Sequence, residues 1–306
     1  MNQAMTNQPS ATAETPSGKG AGDENFPVGS FLLPRRLRPH VAVYYAFARA
    51  IDDIADNSDL SPGDKIVRLD GFDRALRGET DDPAFIKAIR ARDMAKLTGV
   101  PLDHMHDLIV AFKQDAIKLR YRNWAELRNY CRYSASPVGR FLLDLHGEAR
   151  SGWPASDALC DALQVLNHLQ DCKADYRALN RVYLPMDWMG DARVTVEQLA
   201  ADRASPGLRK VIDHCLDATE ALLEVARPLP DLLRSRRLAM ESATIINIAD
   251  ALLRKLRRED PIAGRVQLSR LEFLGCGLRG VMRALFGRRP IAAAPGGALP
   301  LAGGKD

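Results

Sequence analysis

Apolar residues recur at steps of three and four along most of the chain, a spacing that places them on one face of an α-helix. The segments with this period are roughly 34–56, 62–77, 83–98, 102–120, 123–147, 156–179, 204–227, 231–258 and 267–287. Proline and glycine separate them, for example at Pro62-Gly63 and at Gly152-Trp153-Pro154. No alternation of apolar and polar residues is long enough to build a sheet. The pattern therefore predicts one all-α domain with a core bundle of long helices.

The two ends of the chain lack the helical period. Residues 1–24 are rich in Ser, Thr, Pro, Gly and Ala and contain no apolar run of the kind that a secretory signal needs, so we expect a disordered leader there. Residues 290–306 are a low-complexity segment and are expected to be a flexible tail. The helical domain should then span residues 25–289. No run in the chain approaches eighteen apolar residues, so no transmembrane helix is predicted.

Charge and cysteine usage narrow the class of protein. Lys plus Arg number 43 against 39 for Asp plus Glu, and the resulting net charge of +4 is too small to argue for a nucleic-acid partner. The five cysteines lie apart from one another, with no CxxC pair. This usage predicts reduced, mostly buried thiols in a cytoplasmic protein rather than a disulfide framework or a zinc site.

The stretch "ARAIDDIADN", residues 48–57, places three aspartates in an otherwise apolar helix. On a helical wheel Asp52, Asp53 and Asp56 gather with Arg49 on one side, opposite the apolar residues that would enter the core. Asp52 and Asp56 are one turn apart, where like charges repel by a few tenths of a kcal/mol. A solvated helix face is the plain alternative, but such a face rarely alternates carboxylates with alanine and tyrosine. Some compensating charge is therefore expected at this face.

A second stretch, "NHLQDCKADY" at residues 167–176, repeats the one-turn spacing of two aspartates. Its polar arc and the turn that follows contain Asn167, Gln170, Asp171, Asp175, Arg177 and Arg181. One such acidic pair is weak evidence for a site. Two pairs on separate long helices of an all-α chain are considerably stronger evidence.

Carboxylates and carboxamides without cysteine or histidine are hard oxygen ligands, which suit Mg²⁺ or Mn²⁺ and not zinc. Mg²⁺ usually binds through one or two carboxylates together with substrate phosphates. Two facing aspartate helices are therefore expected to hold a diphosphate through metal ions, with Arg49, Arg177 and Arg181 on its remaining oxygens. The polar residues beside the aspartates are expected to belong to the same substrate-binding set: Asp53, Asn167 and Gln170. Such a site would help the diphosphate to depart, which is Lewis-acid catalysis of ionisation.

Three elements of the chain resemble the signatures of the squalene and phytoene synthases. They are "FARAIDDIAD" at 47–56, "YCRYSASPVG" at 130–139 and "LNHLQDCKADYRALNRVYLP" at 166–185. The likeness runs from about Asn25 to about Arg289. It implies the all-α isoprenoid synthase fold, in which a single bundle of long helices surrounds a central active-site cavity. The segment that begins "ENFPVGSFLLPRRLRP" is closer still to the hydroxysqualene-forming members of that family.

Position by position, the resemblance implies a metal site. It assigns Mg²⁺ ligation to Asp52 and Asp56 on one side of the cavity. On the other side it assigns ligation to Asp171 and Asp175, assisted by Asn167. Asp53 is expected to support the first pair without binding the metal itself.

The same resemblance implies contacts with the substrate. Ser30 falls where the family has a serine near the diphosphate, and Arg49 and Arg181 match basic positions beside the two aspartate motifs. Tyr130 and Tyr133 lie in the signature that faces the reacting carbons, and the resemblance leaves open which of them does so. Family members commonly have a glycine where this chain has Asn180, and that difference puts the local loop geometry in question.

The implied reaction starts from presqualene diphosphate, a lipophilic prenyl diphosphate. Loss of diphosphate gives a cyclopropylcarbinyl cation, which rearranges and is captured by water as hydroxysqualene, a step of squalene and hopanoid biosynthesis. Water rather than hydride ends this reaction, so no NADPH is expected. Substrate and product would be handed between this protein and other enzymes of the squalene route.

Two other functions remain open from the sequence. A head-to-head prenyl transferase of the same fold, which makes presqualene diphosphate, squalene or phytoene from two prenyl diphosphates, would use the same aspartates. A non-catalytic helical adaptor would use its acidic grooves for binding alone. Nucleic-acid binding through the basic C-terminal helices lacks the aromatic residues and motifs that such binding needs.

The segment 267–287 carries an apolar stripe flanked by arginines. The stripe consists of Leu271, Leu274, Leu278, Met282 and Leu285. Packing into the core is its expected role. The alternative is an interfacial helix that lies on anionic lipid, which would place the protein at the inner face of the membrane. The sequence "GCGLRG" within the segment has the GxGxxG spacing but lacks the preceding strand that a dinucleotide site requires.

Overall fold

The computed structural model describes residues 13–14 and 32–286. Apart from residues 13–14, the expected leader and tail lie outside the described residues, and so does Ser30. The helices of the described part form almost where the apolar period predicts them, and the all-α prediction is confirmed. They are α1 (Arg38–Asp56), α2 (Pro62–Arg77), α3 (Ile86–Thr98), α4 (Asp103–Ile117), α5 (Trp124–Ser134), α6 (Ser136–Leu145), α7 (Trp153–Leu179), α8 (Met186–Asp191), α9 (Pro206–Ala226), α10 (Leu229–Leu232), α11 (Arg236–Leu256) and α12 (Arg270–Phe286).

The differences from the predicted helices are local. The segment predicted as one helix over 123–147 is divided into α5 and α6 at Ala135, whose φ of −121° is not helical. The segment predicted as one helix over 231–258 breaks at residues 233–235, between α10 and α11. The short helix α8 was not predicted. Short 3₁₀ helices at Pro83–Phe85, Arg150–Gly152 and Val196–Ala200 complete the connections.

Two short strands join the ends of two long helices. Strand β1 (Arg120–Tyr121) follows α4, and β2 (Val182–Pro185) follows α7, and the two pair in parallel with Arg120 opposite Val182. The sequence did not predict them, because every residue of β2 is buried and leaves no apolar–polar alternation to detect. The pairing fixes the C-terminal ends of α4 and α7 beside each other.

The helix termini follow ordinary capping chemistry. The side chain of Ser61 accepts a hydrogen bond from the Asp64 amide at the start of α2, and Asn123 does the same for Glu126 at the start of α5. Helix α7, with 27 residues, ends at Asn180, whose φ of 52° is left-handed. Asparagine tolerates that conformation better than other side chains. The glycine that family members have there is therefore replaced without breaking the turn.

The helical wheel placed the large apolar residues of α1 correctly, but it was wrong for Asp53, which it grouped with Asp52 and Asp56 and which is buried where it pairs with Arg49. Phe47, Ile51 and Ile54 are fully buried, while Asp52 and Asp56 lie on the other side of the helix and are half-buried. On α7 the apolar residues opposite the predicted polar arc, Leu166, Leu169 and Cys172, are buried in the same way. Gln170, which was predicted on the polar arc, is buried as well, because its side chain binds the backbone at Val266. The core of the bundle therefore lies against one face of each aspartate helix and leaves the other face for a site.

The prediction that the stripe of α12 packs into the core is wrong. Its large apolar side chains are between 51% and 81% exposed. Helix α12 instead packs on α11 through the small residues Cys276, Gly280 and Ala284. A Cβ atom on Gly280 would come within 2.5 Å of the Thr244 backbone, so only glycine permits this approach. The last glycine of "GCGLRG" thus serves helix packing.

Among the described helices, none combines the length and the apolar character needed to cross a bilayer.

Candidate active site

Arg181 joins the ends of the two aspartate helices. It lies just after α7, is 5% exposed, and its Nη1 is 2.5 Å from Asp56 Oδ1 at the end of α1. Its Nη2 donates a hydrogen bond to the carbonyl oxygen of Ala55, at 2.8 Å. A cation at the C-terminus of α1 also interacts favourably with the helix dipole. The structure therefore brings the second motif to the first through this arginine.

Arg49 neutralises part of the first motif. Its Nη1 is 3.1 Å from Asp52 Oδ2, and its Nη2 is 2.7 Å from Asp53 Oδ1. Asp53 is buried, whereas Asp52 and Asp56 are half-buried. The three carboxylates thus differ in position. Asp53 binds Arg49 from the buried side, and Asp52 and Asp56 can reach a ligand.

The first motif has an excess of negative charge in a partly desolvated place. Burial raises the pKa of Asp52 well above its ordinary value, and the carboxylate of Asp56 raises it further, while Arg49 opposes both effects. A carboxylate whose pKa is raised in this way by burial and by a neighbouring carboxylate is stabilised by a bound cation. The chemistry of this pair therefore fits a hard metal ion.

The second motif is held by an arginine that the sequence did not single out. Arg265, between α11 and α12, places its Nε 2.7 Å from Asp171 Oδ1 and its Nη2 3.1 Å from Asp171 Oδ2. This is the two-point geometry in which arginine binds carboxylates and phosphates. Asp175 is half-buried one turn further along α7, and its carbonyl oxygen accepts a hydrogen bond from the Arg181 amide at 3.3 Å.

Two residues of the predicted substrate set hold neighbouring backbone in this structure. Gln170 is buried, and its Nε2 donates to the carbonyl oxygen of Val266 at 2.5 Å. Arg177 donates from Nη2 to the carbonyl oxygen of Ala200 at 2.7 Å. For Gln170 and Arg177, contact with a diphosphate stays a prediction.

A buried hydrogen-bond network joins the signature tyrosine Tyr130 to Asp115 on α4 and to Tyr183. Tyr130 Oη donates to Asp115 Oδ2 at 2.7 Å, and Tyr183 Oη donates to Asp115 Oδ1 at 3.3 Å. Burial raises the pKa of Asp115 to about 6, although Arg181 lowers it. Tyr133 is half-buried and packs against the core. Of the two signature tyrosines, Tyr130 is therefore the one built into the polar network beside Arg181.

His168 packs against this network and was not among the predicted site residues. Its ring stacks on Tyr183 with 3.5 Å between centroids. Burial lowers the pKa of His168 to about 3, with a smaller contribution from Arg181, so the ring is neutral. The sequence contains His168 within the second motif, but nothing in its spacing from the aspartates marks it as part of the site.

An apolar cavity of about 300 Å³ lies inside the bundle, and its wall comes within one helical turn of both aspartate motifs. On α1 its wall includes Tyr45 and Ala48, which precede Asp52 by two turns and one turn. On α7 it includes Gln164 and Asn167, which precede Asp171 by the same two intervals. Both helices therefore present a polar mouth followed by a common cavity wall. The shape suits a molecule with a charged head and an apolar body.

The residues of the two motifs fit Mg²⁺ as donors. Among the described residues, no three His, Cys, Asp or Glu side chains converge closely enough to hold an ion by themselves. Mg²⁺ is commonly held by one or two carboxylates plus substrate phosphate oxygens and water. Two separate pairs of carboxylates at the mouth of an apolar cavity match that mode of binding.

Comparison with known proteins extends the geometric argument. The family model of squalene/phytoene synthase matches residues 20–272. The chain is 42% identical to the hydroxysqualene synthase of Rhodopseudomonas palustris over 92% of this chain and 97% of the relative. It is also 42% identical to the hydroxysqualene synthase of Zymomonas mobilis, over 85% and 87% of the two chains. Among solved structures, squalene synthase HpnC from Alicyclobacillus acidocaldarius matches with a TM-score of 0.66 and 36% identity, over 76% of this chain and 87% of that one.

Proposed function

The chain belongs to the squalene/phytoene synthase family, and from that premise we propose that it converts presqualene diphosphate to hydroxysqualene with release of diphosphate. Its family and its relatives make it an isoprenoid synthase of the all-α class. The observation that carries the choice of reaction is the likeness to relatives named hydroxysqualene synthase over almost the whole chain. The aspartate pairs alone fit other synthases of this fold equally well.

The cavity supports this reaction through its division into a polar mouth and an apolar interior. The diphosphate would lie at the aspartate pairs, and the two prenyl arms would occupy the space behind Tyr45 and Asn167. Aromatic faces beside a carbocation contribute about 0.5–2 kcal/mol each. The apolar wall also keeps bulk water away from the cation until the chain itself admits one molecule. No nicotinamide cofactor is required, because the proposed reaction ends without hydride transfer.

We propose that Asp52 and Asp56 on α1, and Asp171, Asp175 and Asn167 on α7, hold Mg²⁺, with Mn²⁺ as a substitute. When bound, the metal supplies Lewis-acid stabilisation of the departing diphosphate. The arginines now paired with these carboxylates, Arg49, Arg181 and Arg265, then become available to the diphosphate oxygens. The chain's own contribution is to hold these cations at the mouth before the substrate arrives.

Incubation of the purified protein with presqualene diphosphate and Mg²⁺ tests the proposed function. We expect release of one diphosphate for each hydroxysqualene formed, loss of turnover on addition of EDTA, and recovery on addition of excess Mg²⁺. Absence of turnover with this substrate, together with consumption of farnesyl or geranylgeranyl diphosphate alone, would establish the prenyl-transferase alternative instead.

The exposed stripe of α12 supports a second proposal, that this helix rests on anionic lipid at the inner face of the membrane. The stripe carries five large apolar side chains in the open. Beside it, a groove of about 540 Å³ between α11 and α12 is lined by Arg254, Arg258 and Arg279. Apolar residues bordered by arginines are typical of helices that lie in a bilayer interface. Such a contact would let the lipophilic substrate and product pass between this protein and other enzymes of the route.

Vesicle flotation tests the membrane contact. The protein is expected to float with vesicles that contain phosphatidylglycerol and to stay behind with pure phosphatidylcholine. Replacing Leu274 and Leu278 together by glutamine should weaken the binding at least about tenfold, because each buried leucine contributes roughly 1.5–3 kcal/mol. The melting temperature should not change, since both side chains are exposed. Leu97→Gln, on the exposed face of α3, is the matched control, and equal binding by the double variant would exclude this face.

A further inference from the structure

One carboxylate outside the aspartate motifs lies on the wall of the apolar cavity. Glu241, in the second turn of α11, is 4% exposed and lines the cavity. Its Oε2 atom is buried and has no hydrogen-bond partner among the described residues. A buried carboxylate without a partner is strongly unfavourable for the fold. Its presence therefore calls for a ligand that approaches from the cavity.

The surroundings of Glu241 are apolar on its own helix. Leu238 and Ile245, three residues before it and four after it, line the same cavity. Of the described residues that line the cavity, Glu241 alone carries a carboxyl group. Burial raises its pKa to about 7. The other titratable groups on the wall are Tyr44, Tyr45 and Cys160.

A second buried polar atom on the cavity wall also lacks a partner. The hydroxyl oxygen of Ser134, at the end of α5, has no hydrogen bond among the described residues. Ser242, next to Glu241, adds another hydroxyl group to the wall. An ordered water in a protein interior needs two to four polar partners. The cavity wall thus contains polar groups that could hold a single water.

We propose that the Glu241 carboxylate holds the water molecule that ends the reaction and accepts its proton. In that step the water oxygen forms a bond to the cationic carbon, and one O–H bond of the water breaks. The electron pair of the broken bond stays on the oxygen of the new alcohol, and the proton passes to the carboxylate. Glu241 returns the proton to solvent when the product leaves. This inference rests on the proposed function, because it needs a carbocation that is captured by water.

The position of Glu241 explains how one cavity can both exclude and supply water. Bulk water in the cavity would quench the cation at several carbons. The Glu241 carboxylate, fixed on α11, holds one water at one place. General-base assistance by a positioned carboxylate commonly contributes about 10²–10⁴-fold to a rate. The aspartate pairs at the mouth would then serve departure of the diphosphate, and Glu241 would serve the choice of product.

Product analysis of Glu241→Gln tests this assignment. Diphosphate release from presqualene diphosphate should continue, while the share of hydroxysqualene among the products falls at least about tenfold and alkenes formed by proton loss replace it. In wild-type protein the hydroxysqualene share should rise as the pH increases through about 7, because the carboxyl group ionises there. The variant should show no such rise. Glu241→Asp, which keeps a carboxylate one methylene further back, should recover part of the alcohol.

Glu79→Gln, an exposed position just after α2, carries the same chemical change and should leave the products unaltered. A Glu241→Gln protein with the wild-type product share and pH profile would overturn the inference and leave the proposed function intact. Equal loss of diphosphate release and alcohol in a folded variant would also overturn it, because Glu241 would then serve ionisation or packing. Wild-type protein that turns over presqualene diphosphate without making any hydroxysqualene would instead overturn the proposed function.

Discussion

Asp52→Asn and Asp171→Asn are each expected to lower turnover of presqualene diphosphate by about 10²–10³-fold or more while the melting temperature stays unchanged or rises. Asparagine keeps the shape of the side chain but removes a charge that the metal and the diphosphate need, and single preorganised electrostatic contacts are worth about that much. Burial and Asp56 already raise the pKa of Asp52, which means that the fold disfavours its charge. Removal of that charge should relieve the repulsion.

Asp171→Asn is expected to leave the stability of the protein almost unchanged for a different reason. Asp171 pairs with Arg265, whose side chain is 45% exposed, and exposed ion pairs contribute about 0–1 kcal/mol. Steady-state kinetics and thermal melting of both variants check the prediction.

Asp157→Asn is the matched control on α7, since Asp157 forms a two-point ion pair with Arg140 away from the aspartate motifs. It should keep its activity and lose some stability. A large loss of stability in both the Asp52 and the Asp171 variants would indicate structural salt bridges, as expected of a helical adaptor without catalysis.

Local sequence carries the information that predicted the helices and the two aspartate faces. Helical periodicity places Phe47 and Ile51 on one side of α1 and Asp52 and Asp56 on the other, whatever the rest of the chain does. The repeat of that spacing at Asp171 needs no tertiary knowledge either. Those parts of the fold and of the candidate site were therefore predictable.

Residues that reach the site across long separations were not predictable in this way. Asp115 lies on α4, outside both aspartate motifs, and contacts Tyr183 only because the bundle packs β2 against this helix. Arg265 comes from the loop between α11 and α12, 94 residues along the chain from Asp171. No spacing rule connects such pairs. Each becomes a neighbour only when helices from distant segments pack together.

Helix α12 shows the limit of periodicity more directly. The pattern states that the large apolar side chains share a face, but it does not state which face is covered. Helix α12 can approach α11 closely at Thr244 only because residue 280 is glycine. The face of small residues therefore packs on α11, and the leucines of the opposite face remain exposed. Packing into the core therefore does not account for that stripe.

Glu241→Gln is expected to stabilise the protein increasingly as the pH rises, although it removes the group that we assign to water capture. Burial raises the pKa of Glu241 from 4.5 to about 7. Between those values the native protein keeps a proton that the unfolded chain has lost, so the free energy of unfolding of the wild type falls as the pH increases. Above about pH 7 Glu241 is ionised in both the native and the unfolded wild-type protein, and the loss of unfolding free energy is then complete, at about 3 kcal/mol. Glutamine has no proton to lose.

Urea unfolding of the wild type and of Glu241→Gln at pH 5 and pH 8 measures this difference. The advantage of the variant should grow by about 2–3 kcal/mol between the two pH values. The amide that the substitution introduces has no hydrogen-bond partner, and it changes the free energy of unfolding by the same amount at pH 5 and pH 8. The test therefore compares how much the difference between variant and wild type grows from pH 5 to pH 8. Glu79→Gln should show no such growth, and an equal difference at pH 5 and pH 8 for Glu241→Gln would mean that its carboxyl group is not held protonated by burial. A pH-dependent gain in stability together with the lost alcohol would show that the fold tolerates this carboxylate because the reaction needs it, as expected where function opposes stability.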